Sequence, residues 1–230
     1  MLLVSFQCFA QRKSKKDTTS QKSSFIVQPN RIEFEIDNSD GHFQIIPAEE
    51  NGLLVIKETK NRSRDGFEWN FNLVDSALNI QWVKQYAIPF GSSFLGYDFN
   101  GDGFYLLFGK SQYKLEEMRV MRLDLQRGDT TSYKVNTVFP MQLNTFEVIE
   151  NTIIFGGTAN FRPVVMLYDM IEQKPKVLPG FYNNNSDIID VRTDDRTKTF
   201  TVILNEKTYK KKVTVSIKTF DSRGNLLQTK

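Results

Sequence analysis

The stretch of the sequence with the most chemical promise is "GYDFNGDG" in the middle of the chain. Asp98, Asn100 and Asp102 stand at alternate positions, and Gly103 follows in sixth place. Calcium-binding EF-hand loops begin with this spacing, but they need a bidentate glutamate at position twelve, which is Gly109 here. We therefore predict a tight turn between two strands and no metal ligand. A weak calcium site built from the three polar side chains is the alternative.

Few other residues could support catalysis. The chain has one histidine, His42, and one cysteine, Cys8, and it has no G-x-S-x-G nucleophile motif. Zinc-ligand clusters and glycine-rich phosphate-binding loops are absent from the sequence as well. We predict no catalytic residue, no metal and no cofactor. Two loop carboxylates that converge in space would still suffice for a glycosidase, and Asp65 is the best-placed acid for that alternative.

The elements that would position any site form a four-fold repeat. Units start near residues 42, 93, 144 and 186, each with an alternating apolar run, a polar turn and a denser apolar run, which predicts a β-hairpin. A third strand follows and ends in an aspartate, and a fourth strand comes after a short turn. The four aspartates, separated by 49, 45 and 52 residues, are Asp75, Asp124, Asp169 and Asp221. Their shared position predicts a structural turn residue rather than a catalytic one.

This repeat predicts an all-β fold, namely a β-propeller-like array of about four four-stranded antiparallel blades. The second strands "LLVI", "YLLF", "TIIF" and "TVIL" are nearly continuous apolar runs, as expected for strands buried on both faces between blades. Both ends of the repeat look cut, so we expect an arc of a larger propeller. The segment "RIEFEID", residues 31–37, is expected to complete a blade as an outer strand.

One unit has a recognisable relative. The run "VDSALNIQWVKQYAIPF" followed by "FLGYDFNGDGFYLLFG" resembles exported β-propeller-like repeat proteins of a type common in Bacteroidetes, where a D-x-x-L-x-x-x-W-x-K strand precedes such a hairpin. The resemblance extends from about Gly41 to the end, although the other three units lack a tryptophan equivalent to Trp82. It implies a propeller-like fold and export from the cytoplasm, and it implies no assigned activity.

The N-terminal region supports the same location. Residues 1–10, "MLLVSFQCFA", are apolar and end with small residues at the −3 and −1 positions of a possible cleavage site before Gln11. We predict that they are the end of a signal peptide and that the protein is periplasmic or secreted. A lipoprotein anchor at Cys8 and a frayed terminus of a cytoplasmic protein are the alternatives. Residues 11–29 are predicted to be a flexible polar spacer, and residues 30–230 the propeller-like domain.

Charge and hydropathy argue against a nucleic-acid partner and against a transmembrane segment. The formal net charge is +3, and residues 12–22 carry five Lys and Arg against one Asp, so the remaining chain is almost neutral. This balance does not favour a nucleic-acid partner. No run approaches the roughly 20 apolar residues of a membrane-spanning helix, so we predict no transmembrane segment.

The predicted binding surface lies on the loops after the second strand of each unit and between units, which share one face of a propeller. Aromatic, arginine and asparagine side chains there suit recognition of peptides or sugars. The predicted ligand-binding residues are Arg62, Arg64, Phe90, Tyr113, Phe161, Arg162, Phe181, Tyr182, Asn183 and Tyr209. Alternatively, several of the aromatics pack between blades. We predict a non-enzymatic binding or scaffold module for a protein, peptide or glycan of the cell envelope; a carbohydrate-active enzyme is the alternative.

Overall fold

The computed structural model describes residues 31–35, 41, 43–181, 185–207 and 213–230. From Ile32 onward these residues belong to one compact unit. The predicted signal-peptide end and spacer, residues 1–10 and 11–29, lie outside the described residues. The described residues contain strands and one short 3-10 helix, Glu49–Asn51. No helix among the described residues could span a membrane.

The described residues form fifteen strands. They are β1 Phe43–Pro47, β2 Leu53–Arg62, β3 Phe67–Val74, β4 Ile80–Ile88, β5 Ser93–Phe99, β6 Gly103–Gly109, β7 Leu115–Asp124, β8 Thr130–Ile149, β9 Thr152–Ala159, β10 Arg162–Asp169, β11 Lys174–Val177, β12 Ser186–Asp194, β13 Thr199–Lys207, β14 Val213–Asp221 and β15 Leu226–Thr229. Every pairing between neighbouring strands is antiparallel. The all-β class predicted from the sequence is confirmed.

The strands make four four-stranded blades within three sheets. The first sheet has the order β1-β2-β3-β4 and the last has the order β12-β13-β14-β15. Between them lies a seven-stranded sheet, because the 20-residue β8 serves two blades. Its residues 130–136 pair with β7, and its residues 142–149 pair with β9. The propeller-like array of four blades is confirmed, and the shared strand is a feature that the repeat pattern did not predict.

Three hydrophobic clusters join consecutive blades, and β6 shows how. Phe104, Leu106 and Phe108 point into the cluster shared with the first blade, whereas Tyr105 and Leu107 point into the cluster shared with the third blade. A strand that buries both faces needs apolar residues at every position, which explains the unbroken run "FYLLF". Among the described residues, no cluster joins the first blade to the fourth, so the array is open.

Polar groups hold the first two blades together at one edge. The indole Nε1 of Trp82 on β4 donates to the carbonyl oxygen of Leu125 at 2.8 Å. The hydroxyl of Tyr86 donates to the carbonyl oxygen of Gly128 at 2.6 Å. Both acceptors lie in the turn between β7 and β8 of the second blade. The tryptophan that distinguishes the best-matching unit therefore has a structural role in blade stacking.

Close packing accounts for two glycines in β9. A Cβ atom at Gly157 would clash with the carbonyl oxygen of Gln142, and one at Gly156 would clash with the hydroxyl of Thr145. Both clashing atoms belong to β8, so the two strands can approach only because these side chains are missing.

The segment at residues 31–37 differs from its prediction. Its described residues, 31–35, form no strand, so the expected outer strand of a blade is not made there. The backbone carbonyl of Glu35 instead accepts a hydrogen bond from Nζ of Lys57 at 2.7 Å. The first blade already has four strands without this segment.

The four repeated aspartates act as turn residues, as predicted. In each case one carboxylate oxygen accepts hydrogen bonds from two backbone amides of the following turn; Asp169 Oδ1 accepts from Ile171 at 2.8 Å and from Glu172 at 2.9 Å. Asp124 likewise accepts from the second and third residues after it, whereas Asp75 and Asp221 accept from the second and fourth. The bonds from Asn79 lower the pKa of Asp75 because they favour its ionised form.

We expect Asp169→Ala to lower the free energy of unfolding by about 1–2 kcal/mol, because two charge-assisted hydrogen bonds are lost at an exposed turn. Urea denaturation measures the change. Asp169→Asn keeps an acceptor oxygen and should lose less. Glu172→Ala in the same turn is the control, since its carboxylate makes only an exposed ion pair with Lys174 at 3.8 Å. Equal losses for the alanine variants would contradict the turn role.

Candidate functional site

Connections between antiparallel strands alternate between two edges of the blades. We call one edge the loop face, formed by residues 63–66, 89–92, 110–114 and 160–161. We call the opposite edge the turn face, formed by residues 48–52, 100–102, 150–151 and 195–198. The predicted ligand-binding residues belong to the loop face, and the calcium-like sequence belongs to the turn face.

An aromatic and arginine cluster joins two loops of the first blade on the loop face. The guanidinium of Arg62 lies 5.4 Å from the ring centroid of Phe67, at cation–π distance. Phe67 in turn makes an edge-to-face contact with Phe90 at 5.2 Å between centroids. Arg62 and Phe90 are exposed, as is the nearby Arg64. The structure thus brings two of the predicted residues together through Phe67, which the sequence did not single out.

Phe161 is the most exposed large apolar side chain on the loop face, at 94%. It is the second residue of a two-residue hairpin, since Ala159 pairs directly with Arg162. Asn160 and Phe161 have φ angles of 49° and 62°, the left-handed pattern of a type I′ turn. Asparagine tolerates this conformation, whereas phenylalanine does so at a steric cost. Neither burial nor turn geometry favours a phenylalanine at this position.

The remaining predicted residues fall into three groups. Tyr113 is 69% exposed on the loop face, and Arg162 is half-buried at the start of β10. Phe181 is only 2% exposed, and its ring packs 5.6 Å from that of Phe220 in the cluster between the last two blades. Phe181 is therefore a core side chain, in line with the alternative that several of these aromatics pack between blades. Tyr182, Asn183 and Tyr209 lie outside the described residues.

The calcium-like sequence forms the predicted turn between β5 and β6. Asp98 uses both carboxylate oxygens for backbone amides: Oδ1 accepts from Phe99 at 2.8 Å and Oδ2 from Val148 at 2.6 Å. The second bond ties the second blade to the third. Gly101 has a φ of 83°, and the amide of Asn100 donates to the carbonyl oxygen of Gly103 at 3.4 Å. No three His, Cys, Asp or Glu side chains among the described residues are placed to share a metal ion.

A second carboxylate lies next to Asp98, and the sequence analysis missed it. Glu147 on β8 directly precedes Val148, whose backbone amide donates a hydrogen bond to Asp98. Oε2 of Glu147 accepts a hydrogen bond from the hydroxyl of Thr193 at 3.3 Å. Burial, and then the negative charge of Asp98, raise the pKa of Glu147 to about 7. Burial also raises the pKa of Asp98. The negative charge of Asp98 therefore disfavours the ionised form of Glu147, and the negative charge of Asp195 adds to the raised pKa of Asp98.

A polar cavity of about 280 Å³ opens on the turn face, and neither Asp98 nor Glu147 lines it. It lies where turns of the second, third and fourth blades meet, and its polar wall includes Asn100, Asp102, Arg122, Glu150, Asp195 and Lys198. The sequence carries a signal for this cavity. The turns "DFNGDG", "IENT" and "DDRTK" occupy equivalent positions in successive units, so they must share one edge and bring their polar residues together.

We expect the wild-type protein to lose about 1–2 kcal/mol of stability between pH 4.5 and 7 through Glu147, after allowance for its partial exposure. The pKa of this residue is raised on folding, so the folded state holds the proton more tightly and loses that advantage as Glu147 ionises. Urea denaturation at several pH values measures the effect. Glu147→Gln should remove this component of the pH dependence.

The control for this experiment is Glu116→Gln, which changes an exposed carboxylate on β7 that pairs with Lys114 at 3.1 Å. Its stability should follow the wild-type pH profile. A Glu147→Gln profile that runs parallel to the wild type would contradict the assigned pKa.

Comparisons with known proteins identify no family and no activity for this chain. No protein-family model matches the chain, and no curated protein matches its sequence. Similar solved structures include a Dos1 propeller, with 10% identity, a TM-score of 0.47 and coverage of 78% of this chain and 44% of that one.

Two further similar structures are enzymes. A prolyl endopeptidase shows 13% identity, a TM-score of 0.43 and coverage of 77% of this chain and 25% of that one. A mutant of the Synechocystis apocarotenoid oxygenase shows 9% identity, a TM-score of 0.41 and coverage of 82% and 49%. The chain spans less than half the length of each of the three proteins. These likenesses are too weak to bear on function.

Proposed function

We propose that this protein is a non-enzymatic binding or scaffold module of the cell envelope that contacts a protein, peptide or glycan through its loop face. The observation that carries the proposal is Phe161, a fully exposed aromatic ring at a strained turn position. Tyr113, Phe90 and Arg62 extend the same face with residue types that dominate binding energy at interfaces. Export rests on the apolar residues 1–10 and is part of the proposal.

The backbone strain at Phe161 destabilises the folded protein, which supports a role of this side chain in contact with a partner. A left-handed phenylalanine costs roughly 1–2 kcal/mol relative to glycine, and Asn-Gly is the preferred sequence of a type I′ turn. The exposed ring gains nothing from the core in return. Burial of such a ring against a partner would contribute about 2–3 kcal/mol, enough to offset the strain.

One observation favours the alternative, a carbohydrate-active enzyme. Asp98 and Glu147 form a coupled carboxylate pair, which a glycosidase requires, whereas Asp65 is exposed in a loop. In a glycosidase one acid is protonated while the other stays readily ionised. Here burial raises the pKa of both acids, and both oxygens of Asp98 already accept backbone amides. The pair therefore fits a structural link between blades better than a catalytic centre.

We expect Phe161→Gly to raise the free energy of unfolding by about 1 kcal/mol and to weaken partner binding at the same time. Urea denaturation measures stability. Binding is measured by pull-down of envelope proteins and by a glycan array. The control is Ile171→Ala, because Ile171 is also highly exposed, at 73%, but lies in a turn on the opposite edge.

Opposite changes in stability and binding would separate a binding role of Phe161 from general damage to the fold. The proposal fails if Phe161→Gly retains every partner. It also fails if the wild-type protein hydrolyses a glycan and Glu147→Gln abolishes the reaction, in which case the enzyme alternative takes its place.

Export makes an independent expectation. The mature protein should begin at Gln11, because the residues before it end with the small residues that signal peptidase prefers. N-terminal sequencing of protein from the native cells measures this directly. A cytoplasmic chain that retains Met1 would contradict the proposed location.

A further inference from the structure

The polar cavity on the turn face has features of a small-ligand site that the loop face does not share. Its walls come from three blades: turns 100–102, 150–151 and 195–198 form the rim, and side chains of β6, β7 and β8 form the inner wall. Its volume of about 280 Å³ is just below the usual range for drug-sized ligands. The cavity therefore fits one small molecule of about the size of a single sugar ring.

Two polar atoms of residues that line the cavity, one in the rim and one in the inner wall, have no hydrogen-bond partner. They are Oδ1 of Asn100, an acceptor, and Nε of Arg122, a donor, and both atoms are buried. The other amide atom of Asn100, Nδ2, donates to the hydroxyl of Tyr105 at 3.4 Å, which orients the amide. Buried polar groups normally have hydrogen-bond partners. A donor and an acceptor that both lack a partner beside one cavity therefore indicate a missing ligand. Both atoms are covered, so a ligand in the cavity reaches them only when the two side chains turn toward it.

The charges around the cavity decide what kind of molecule fits. Asp102, Glu150 and Asp195 oppose an anion such as phosphate, and Arg122 and Lys198 oppose a metal ion or an organic cation. Three carboxylates and two cationic side chains leave a formal charge of −1, and both signs line the same small cavity, so neither an anion nor a cation meets only favourable partners. Carboxylates accept hydrogen bonds from hydroxyl groups, and the guanidinium and ammonium groups donate hydrogen bonds to hydroxyl oxygens. A neutral molecule with several hydroxyl groups can use both kinds of partner at once.

We propose that the turn-face cavity binds a neutral polyhydroxylated ligand, a monosaccharide or a small polyol. One ligand hydroxyl accepts from Nε of Arg122 and donates to Oδ1 of Asn100, so that both unmade bonds form together. Other hydroxyls donate to Asp102 and Asp195 at the rim. Tyr133 and Met170 supply the less polar part of the wall, against which the C–H groups of a sugar ring pack.

The test is isothermal titration calorimetry of the full chain with D-glucose, D-galactose, D-mannose, N-acetylglucosamine and myo-inositol. We expect saturable binding of at least one of these probes. Asp102→Ala and Asp195→Ala should each weaken it by about tenfold, and the exposure of both residues keeps the fold intact. Arg122→Leu should abolish binding, because it removes the donor that the ligand hydroxyl uses. Its free energy of unfolding is measured as well, since the Arg122 side chain also hydrogen-bonds Tyr105.

Glu172→Ala, which lies outside the cavity, is the control and should bind as the wild type does. Phe161→Gly should also leave sugar binding unchanged, so this site and the loop face can fail separately. The proposal is overturned if none of the five probes binds at millimolar concentration, or if binding survives all three cavity variants. Saturable binding of inorganic phosphate or calcium chloride in place of the sugars would overturn it too.

Discussion

The structure depends on the burial of both faces of the second strand in each inner blade. Such a strand has no polar side to turn toward water, so it is stable only when a blade packs on each side. In β6 alternate side chains, such as Phe108 and Leu107, enter two different hydrophobic clusters. This constraint makes the blades stack in chain order. Polar residues lie on the outer strands and at the two edges, where the loop face and the turn face form.

The long strand β8 connects the second and third blades in the middle of this stack. One continuous strand pairs with β7 in the second blade and with β9 in the third, so it links the two sheets into one. The missing side chains at Gly156 and Gly157 let β9 approach β8, and the bond from the Val148 amide to Asp98 brings β8 close to β5. This close approach also forces Glu147 next to Asp98, so the raised pKa of Glu147 is a consequence of blade packing.

The two edges of the blades depart from optimal stability in different ways. On the loop face, Phe161 exposes an aromatic ring and strains a turn that glycine would relax. On the turn face, Asn100 and Arg122 leave buried polar atoms without partners. Natural sequences depart from locally favoured choices mostly where function requires it. The loop face offers apolar area suited to a macromolecule, whereas the turn face offers enclosed polar groups suited to a small hydroxylated molecule.

The sequence by itself determined the strand pattern, the four-blade repeat and the aspartate turns, because these depend on local periodicity and on residues that bond to their own backbone. It also indicated that the calcium-like sequence is a turn. Only the tertiary structure decided that Phe181 is buried, that β8 joins two blades, and that Glu147 meets Asp98. These features depend on which residues from distant units come into contact. Arg122 is an example that the sequence could not predict. Its Nε is buried without a hydrogen-bond partner, in a cavity lined by residues of three blades.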